Sequence, residues 1–343
     1  MERYNPSYYI FTSLTRISDM EEKEFGLEVL DRSEWATGDY VVCRITDPGG
    51  TSLQLELPNG RMRGVIGDEY VVGALGERFA TLEATGTWKK VGTDGKMSIL
   101  TGGGIFGKLT SKSAFMPNMM QIKYTGHAVR KGRKITMDNF LPEVAYKEFQ
   151  TPVVLFIGTS MSAGKTTSAR IVTNIFKSSN YKVVGVKLTG AGRYKDILAL
   201  KDVGADAVFD FVDVGLPSSI CPREVFQEKI KRLLSLAAHQ YADIAIVEVG
   251  ASPMEPYNGD LAVEALGENI KCTILSATDP YSVYGLMKAF KVVPDIVSGI
   301  TTNTLAGIKM VRDLCGVQAM NLIDSRTNAK LREILREKTG LAL

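Results

Sequence analysis

The pattern of hydrophobic and polar positions changes near residue 150. From about residue 151 onward, short apolar runs alternate with amphipathic stretches. Apolar runs separated by helices are typical of parallel strands that are buried on both faces of a sheet. The pattern therefore predicts an α/β domain with a mostly parallel sheet over 151–343. The predicted strands are 153–158, 182–187, 207–213, 243–248, 271–276, 295–300 and 317–323, and the predicted helices are 165–178, 223–239, 303–314 and 326–337.

Residues 1–148 follow a different pattern, in which short β-type runs are separated by glycine-containing turns. The runs are 40–45, 53–57 and 70–72, and turn signals stand at 47–50 and 58–60. The run 53–57 alternates apolar and polar residues, as a half-buried strand does. We therefore predict a smaller, mostly β domain before the α/β domain. Its role is open between substrate selection, dimerisation and partner docking.

Composition narrows the class of protein. The chain has 343 residues, of which 45% are apolar and 23% charged, as in an ordinary two-domain globular protein. The net charge of +3 is too small to indicate a nucleic-acid partner. No N-terminal leader and no apolar run of about 18 residues is visible, so we expect a cytoplasmic protein without a membrane segment.

The four cysteines are far apart in the sequence and form no CxxC pair. With only two histidines in the chain, metal binding through cysteine is disfavoured. Each cysteine lies in or beside an apolar segment, so we expect buried, reduced thiols. The cysteines are Cys43, Cys221, Cys272 and Cys315, and the histidines are His127 and His239.

The strongest chemical signal is the segment 153–167. An apolar strand ends in Gly158, a loop of small residues follows, and Gly164 and Lys165 open a helix. This order is the context of a phosphate-binding loop, in which backbone N–H groups and the helix N-terminus face a polyphosphate. The usual motif has glycine where Thr159 stands. The predicted nucleotide-binding residues are Thr159, Ser160, Met161, Ser162, Ala163, Gly164, Lys165, Thr166 and Thr167.

Within that loop, two side chains are expected to act directly on the nucleotide. Lys165 is predicted to reach the β- and γ-phosphates, and Thr166 to offer its hydroxyl to Mg²⁺. The strand 243–248 ends in Glu248, which is well placed to be a second Mg²⁺ ligand. The cofactors predicted from these residues are ATP and Mg²⁺.

A second group of charged residues follows the strand 182–187. Lys187 ends that strand, and Arg193 and Lys195 add positive charge, which suits an anionic substrate or the transferred phosphoryl group. Asp196 stands next to them. It is either a metal ligand or only the N-cap of a helix.

These residues together resemble the dethiobiotin synthetase-like branch of P-loop proteins, over about 153–325. The resemblance implies that Lys165 and Thr166 bind phosphates and Mg²⁺, that Lys187 lies close to substrate and phosphate, and that Asp196 and Glu248 are metal ligands. The family's usual glycine-rich sequence after the glutamate is replaced here by 249–252. Partition-type ATPases carry an extra lysine where this chain has Ser160, so their mechanism is disfavoured.

Two further segments have two interpretations each. Asn303 is predicted either to hydrogen-bond the nucleobase or, with its neighbours in 298–304, to cap a helix. The glycine-rich run 101–108 is interpreted as a flexible turn in preference to a second anion site, and it could also lie against the nucleotide site.

The sequence thus favours an ATP-dependent ligase, synthetase or kinase that acts on a small anionic metabolite, with Lys165 and Lys187 as catalytic residues. One alternative is a nucleotide-dependent switch or metallochaperone-type NTPase that acts on a protein partner. Another is a polynucleotide kinase, which the absence of a basic stripe with interleaved aromatic residues disfavours. A homo-oligomer is compatible with the sequence.

Overall fold

A computed structural model describes residues 5–49 and 54–343. The chain forms two compact units. Unit 1 comprises Met1–Glu143, Ala191–Lys195 and Phe211–Ile220, and unit 2 comprises Val144–Gly190, Asp196–Asp210 and Cys221–Leu343. The sequence pattern assigned 191–195 and 211–220 to the second half, because alternation of strands and helices follows chain order and carries no information about where a connecting loop packs.

Unit 1 is mostly β. Ten of its described strands form one sheet, and β4 and β5 form a separate pair. Its strands are β1 (Tyr9–Phe11), β2 (Gly26–Glu28), β3 (Tyr40–Asp47), β4 (Leu55–Glu56), β5 (Met62–Arg63), β6 (Tyr70–Leu75), β7 (Glu77–Phe79), β8 (Ala84–Thr87), β9 (Lys96–Ile99), β10 (Ile105–Lys112), β11 (Gln121–Arg130) and β12 (Arg133–Lys134).

The large sheet of unit 1 closes on itself. The order β6-β3-β11-β9-β10 ends on β10, which pairs in parallel with β6 again through Ile105 and Ala74. The interior of the unit is apolar and includes Val41, Cys43, Val71 and Phe106, which are fully buried. Burial of these side chains, together with closure of the pairing, supplies the hydrophobic core that holds the unit together.

One strand prediction in unit 1 needs correction. Of the run 53–57, only Leu55–Glu56 is a strand, and residues 50–53 lie outside the described part of the chain. Alternation predicted that Glu56 faces solvent, but its side chain is fully buried. A buried carboxylate requires hydrogen-bond partners to offset its desolvation. Those partners come from distant segments that no local pattern reveals.

Unit 2 has a six-stranded, wholly parallel sheet of order β15-β14-β16-β13-β17-β18. Every residue of β13, β14 and β16 is buried, so both faces of the sheet are covered. This confirms the predicted fold class, an α/β domain with a mostly parallel sheet beside a smaller, mostly β one. The strands are β13 (Val153–Gly158), β14 (Val183–Thr189), β15 (Ala207–Asp210), β16 (Ile244–Val249), β17 (Ile270–Ser276) and β18 (Ile296–Ser298).

Four helices agree with the predicted ones to within two residues at each end, and three further helices lie outside the four predicted ranges. One of these three, α2, begins two residues before Asp196, where the N-cap interpretation expected a helix to follow. The helices are α1 (Lys165–Ser178), α2 (Tyr194–Lys201), α3 (Arg223–Ala238), α4 (Gly259–Leu266), α5 (Pro280–Phe290), α6 (Leu305–Cys315) and α7 (Asn328–Thr339), of which α2, α4 and α5 lie outside the predicted ranges.

The predicted strand 317–323 is wrong. This segment makes a single parallel bridge, Val297 with Ala319, and is otherwise irregular. Ala319, Met320 and Leu322 are buried, so the apolar run reflects packing without a strand ladder. A short apolar run cannot distinguish these two situations.

The structure also bears on the predictions about the cysteines and about a membrane segment. The cysteines are free thiols; Cys43 and Cys272 are buried, whereas Cys221 and Cys315 are partly exposed. Burial raises the pKa of the Cys221 thiol to about 12. Within the described residues, no helix is both long and apolar enough to cross a membrane.

Candidate nucleotide site

The loop between β13 and α1 has the geometry of a phosphate-binding loop. Gly164 stands directly before α1 with φ of 103°, a left-handed conformation that favours glycine. Gly158 lies against the stem of Lys165, and a Cβ atom at Gly158 would lie 2.9 Å from Lys165 Cδ. The glycine that the motif requires for close approach is thus Gly158. Thr159, one position later, occurs without disrupting the loop.

Lys165 is the first residue of α1 and is almost fully buried. Its ammonium group donates to the carbonyl oxygens of Ser160 at 2.7 Å and Met161 at 3.3 Å. Burial lowers the pKa of Lys165, and the nearby carboxylate of Glu248 partly offsets this effect. The lysine is therefore held inside the loop by weak acceptors, and an anionic oxygen would be a stronger partner.

Thr166 and Glu248 come together as predicted for a Mg²⁺ site. The hydroxyl of Thr166 donates to Oε2 of Glu248 at 2.9 Å. A hydroxyl and one carboxylate are the ligands that a nucleotide-bound Mg²⁺ takes from a protein, with phosphate oxygens and water completing the shell. The described residues contain no cluster of three or more acidic, histidine or cysteine side chains suited to a metal ion, so these two fit Mg²⁺ only as partners of a polyphosphate.

Three charged residues lie side by side at the carboxyl ends of neighbouring strands. Lys187 of β14 is in register with Asp210 of β15 on one side and with Glu248 of β16 on the other. All three are buried. The negative charges of Glu248 and Asp210 both favour the charged form of Lys187 and raise its pKa.

Lys187 also forms an ion pair with Asp196. Its Nζ lies 2.5 Å from Asp196 Oδ2, and the lysine side chain is only 5% exposed. Burial opposes the charged form, but the carboxylates of Asp196 and Glu248 outweigh it and raise the pKa of Lys187. Lys187 is therefore a charged ammonium at neutral pH. Asp196 is the third residue of α2, so the predicted N-cap role is wrong.

The aliphatic arm of Lys187 passes between two glycines. A Cβ atom at Gly250 would lie 2.6 Å from Lys187 Cε and 2.3 Å from the carbonyl oxygen of Thr189. At Gly190, where φ is 126°, a Cβ atom would lie 3.4 Å from the same carbon. The sequence 249–252 thus departs from the glycine-rich family pattern but keeps a glycine at the position that contacts Lys187.

The phosphate-binding loop is also anchored at its other side. The N–H of Thr159 donates to the carbonyl of Ser276, and the N–H of Thr278 donates to the hydroxyl of Thr159 at 3.3 Å. Gly299, with φ of 88°, approaches so closely that a Cβ atom would lie 2.3 Å from the carbonyl oxygen of Ala163. The ends of β17 and β18 therefore support the loop.

The other predicted loop residues differ in exposure. Ser160 is buried, and its hydroxyl has no hydrogen-bond partner among the described residues. An orphaned buried hydroxyl in this loop is consistent with a site for an additional polar group. Ala163 is buried, Met161 is half-buried, and Ser162 and Thr167 are exposed.

Asn303 is exposed and lies just before α6. The N-cap of that helix is Thr304, whose hydroxyl accepts from the N–H of Gly307 at 3.1 Å. The capping interpretation therefore holds for the segment but not for Asn303 itself. Contact of Asn303 with a nucleobase stays a prediction.

The structure bears on two further predictions, one about the positively charged residues after β14 and one about the glycine-rich run 101–108. Arg193 and Lys195 belong to unit 1, whereas Lys187 and Asp196 belong to unit 2. The glycine-rich turn is tightly packed, because a Cβ atom at Gly103 would lie 2.4 Å from the carbonyl oxygen of Gly192, which Thr101 also hydrogen-bonds at 3.1 Å. These glycines are needed for close backbone packing within unit 1, and the turn is neither loose nor exposed.

Sequence reasoning missed two acidic residues of the site. Asp210 was inside a predicted strand, and only its register with Lys187 reveals it. Glu255 is buried and accepts from the N–H of Ser252 at 2.9 Å. Its charge acts on Lys165 in the same direction as that of Glu248. The run 252–256, with its two prolines, was the available signal of a rigid loop after the Glu248 strand.

Comparison with known proteins gives only partial likenesses. No family model matches the chain, and no curated protein matches it. Solved structures that resemble it include FtsY from Mycoplasma mycoides (14% identity, TM-score 0.35, covering 52% of this chain and 61% of that one). HypB from Helicobacter pylori, in complex with nickel, is similar at 16% identity and a TM-score of 0.37, covering 57% and 90%.

A third similar structure is a DUF1611 family protein from Anabaena variabilis, at 14% identity and a TM-score of 0.40, covering 61% of this chain and 66% of that one. The matched region thus spans about three fifths of the FtsY chain and about two thirds of the DUF1611 family protein. Because all three TM-scores are below 0.5, the function proposed below rests on the geometry of the site and on none of these proteins.

Proposed function

We propose that the protein binds a nucleoside triphosphate with Mg²⁺ and transfers its γ-phosphoryl group to a small anionic metabolite. The observation that carries the proposal is the pair of contacts at the start of α1. Lys165 is buried within hydrogen-bonding distance of loop carbonyls, and Thr166 contacts Glu248 at 2.9 Å. An ammonium group and a pair of oxygen ligands at the start of α1 support the proposal, because the phosphates and Mg²⁺ of a nucleotide bind to such groups in phosphate-binding loops.

Each residue then has a role that its surroundings support. Lys165 would exchange the carbonyls of Ser160 and Met161 for phosphate oxygens. Thr166 and Glu248 would hold Mg²⁺, which supplies charge neutralisation at the phosphates when bound. Lys187, kept charged by its carboxylate neighbours, would stabilise the negative charge that develops on the transferred group.

The finer assignment follows the resemblance to dethiobiotin synthetase-like proteins. It favours ATP as the nucleotide and transfer of the phosphoryl group to a carboxylate or hydroxyl of the metabolite. An acyl phosphate formed from a carboxylate would then react with a nucleophile, which releases phosphate. In this assignment Asp196 is a metal ligand, although in the structure its carboxylate is paired with Lys187. Metal binding by Asp196 therefore requires that this ion pair opens or that both groups share the bound phosphate and Mg²⁺.

A nucleotide-dependent switch is the second candidate, and one observation favours it. The residues that directly follow β14 and β15, namely 191–195 and 211–220, are part of unit 1. Lys187 and Asp210 are paired in register near the carboxyl ends of those two strands, the edge of the sheet at which β13 runs into the phosphate-binding loop. A change there on nucleotide hydrolysis would act on chain segments that belong to the other unit.

Ligand-dependent thermal shift and phosphate release test the proposal. ATP–Mg²⁺ and GTP–Mg²⁺ are compared alone and with a panel of small carboxylates, because a ligand that binds the native state raises apparent stability. If the protein is a metabolic enzyme, phosphate release should rise sharply with one metabolite of the panel. If it is a nucleotide-dependent switch, phosphate release should be slow and no metabolite should change it.

Lys165→Ala is the decisive variant for nucleotide binding, with Lys330→Ala on the surface as its control. Lys330 is exposed and pairs with Glu333 on the surface of α7. We expect Lys165→Ala to abolish the nucleotide-induced shift and Lys330→Ala to leave it unchanged. An unchanged shift in Lys165→Ala overturns the proposed function.

A further inference from the structure

We infer that Glu56 is a positioning residue for the nucleotide site. By holding the first turn of α2 it fixes Asp196, and through Asp196 it fixes the ammonium of Lys187. The expected effect of Glu56 on turnover rests on the proposed function of Lys187, whereas the contacts that connect Glu56, Asp196 and Lys187 do not depend on that proposal. Glu56 lies more than 130 residues before this lysine in the chain, and its side chain is fully buried.

The carboxylate of Glu56 is satisfied by backbone and hydroxyl donors. Oε2 accepts from the N–H of Tyr194 at 2.6 Å and from the hydroxyl of Ser13 at 2.5 Å, and Oε1 accepts from the N–H of Lys195 at 2.8 Å. Tyr194 and Lys195 are the first two residues of α2. The carboxylate thus takes up two of the N–H groups that a helix N-terminus leaves without intrahelical partners, and it complements the helix dipole.

The segment that leads into α2 is fixed by additional contacts within unit 1. Gly192 donates its N–H to the carbonyl of Pro217 and accepts from Thr101. The guanidinium of Arg16 lies 4.5 Å from the centre of the Tyr194 ring and pairs with Asp213 at 2.9 Å. Among the contacts described here, it is Glu56 that bonds directly to N–H groups of the helix, so its carboxylate stabilises the first turn.

Asp196 is the residue after Lys195, and it is this residue that pairs with Lys187 at 2.5 Å. Within a helix, the rise and rotation from one residue to the next are fixed, so Asp196 cannot keep its place if Tyr194 and Lys195 unwind. Loss of the Glu56 carboxylate would fray this turn and release Asp196. Lys187 would then lose the ion-pair partner that orients its ammonium.

Nucleotide binding should be affected less than turnover. Lys165 and Thr166 lie on α1 and Glu248 on β16, and none of them bonds to α2 in the contacts described above. A defect in Lys187 placement should therefore lower kcat and leave nucleotide Kd nearly unchanged. General destabilisation would not give this separation.

The first test is a double-mutant cycle with Glu56→Gln and Asp196→Asn, measured as nucleotide turnover and Kd. Gln keeps the size of the side chain but replaces one acceptor oxygen by a donor. We expect Glu56→Gln to lower kcat about tenfold in the wild-type background and less than about twofold in Asp196→Asn, because residues in one network are not additive. Introducing Glu56→Gln should change Kd less than about twofold in either background.

Asp39→Asn is the matched control. Asp39 is also a buried carboxylate of unit 1, and it accepts from the N–H of Ala36 and from Lys134, both at 2.8 Å. None of the contacts described for Asp39 involves α2. We expect this variant to lower stability without a selective loss of kcat. The inference is overturned if Asp39→Asn lowers kcat by the same factor, or if Glu56→Gln has equal effects in both backgrounds.

Hydrogen exchange separates the inference from the proposed function. Without nucleotide, amides of 194–198 should exchange about tenfold faster or more in Glu56→Gln than in wild type or Asp39→Asn. Ser13→Ala, which removes one donor and leaves both helix contacts, is a milder variant if Glu56→Gln folds poorly, and it should give a smaller increase. Unchanged exchange overturns the inference. If wild type shows no nucleotide turnover, the proposed function fails while this measurement still decides the role of Glu56.

Discussion

The hydroxyl of Thr166 lies 2.9 Å from a carboxylate oxygen of Glu248, although the two residues are 82 positions apart in the chain. They meet because β13 and β16 are adjacent parallel strands whose carboxyl ends lie at the same edge of the sheet. A hydroxyl and a carboxylate brought together beside a phosphate-binding loop form a pair suited to Mg²⁺.

Glu248→Gln should therefore weaken Mg²⁺–nucleotide binding by about ten- to a hundredfold, since the amide lacks the charge that a divalent cation requires. Calorimetric titration of nucleotide with and without Mg²⁺ measures this effect. Glu264→Gln, at an exposed position of α4, is the control and should bind like wild type. Equal affinities of Glu248→Gln and wild type in Mg²⁺ would remove Glu248 from the metal site.

Lys165→Met should stabilise the protein in the absence of nucleotide, because burial of this ammonium lowers its pKa and disfavours its charged form. A gain of about 1 kcal/mol would raise Tm by about 2–4 °C. Calorimetry at neutral pH measures the change. A lower Tm in Lys165→Met would show that the loop carbonyls fully compensate the buried charge.

The same lowered pKa predicts a pH dependence. Between the folded-state pKa of Lys165 and its ordinary value of 10.5, the unfolded chain binds more protons at this lysine, so its contribution to stability rises with pH in that window. Urea unfolding of wild type and Lys165→Met as a function of pH isolates this slope. The difference in unfolding free energy between the two should shrink as pH rises towards 10.5.

Gly250→Ala should displace Lys187, because the added Cβ atom would lie 2.6 Å from Lys187 Cε and 2.3 Å from the carbonyl oxygen of Thr189. We expect a loss of about 1–3 kcal/mol of stability and of most nucleotide turnover. Gly285→Ala in α5 is the control, since nothing lies within 4 Å of its Cβ position. That change should stabilise the protein by about 0.5–1 kcal/mol. Chemical denaturation and phosphate release measure both.

Asn303→Ala and Thr304→Ala separate base recognition from helix capping. Thr304 caps α6 through the N–H of Gly307, so Thr304→Ala should cost about 1 kcal/mol of stability and leave nucleotide preference unchanged. Asn303→Ala should leave stability nearly unchanged and reduce the ratio of ATP to GTP affinity. If both variants keep the wild-type ratio, Asn303 is not a nucleobase contact.

The amino-acid sequence by itself determined the class of the second unit and the core of its site. The order of buried strand, small loop, glycine and lysine in 153–167 is local, and it specifies a phosphate-binding loop because the N–H groups and the helix N-terminus involved are consecutive in the chain. The apolar runs that end in Lys187 and Glu248 predicted two strands correctly for the same reason, since burial on both faces leaves a local pattern.

Only the tertiary structure decided which distant groups meet. The register of β15 with β14 places Asp210 beside Lys187, and no feature of the sequence 207–213 predicts this pairing. The run 317–323 has the composition of a strand but only one bridge, because strand formation depends on an available partner edge. Glu56 is the clearest example of a residue whose surroundings the local sequence pattern does not reveal. Its alternating segment predicts an exposed side chain, whereas hydrogen bonds to the first turn of α2 keep its charge buried.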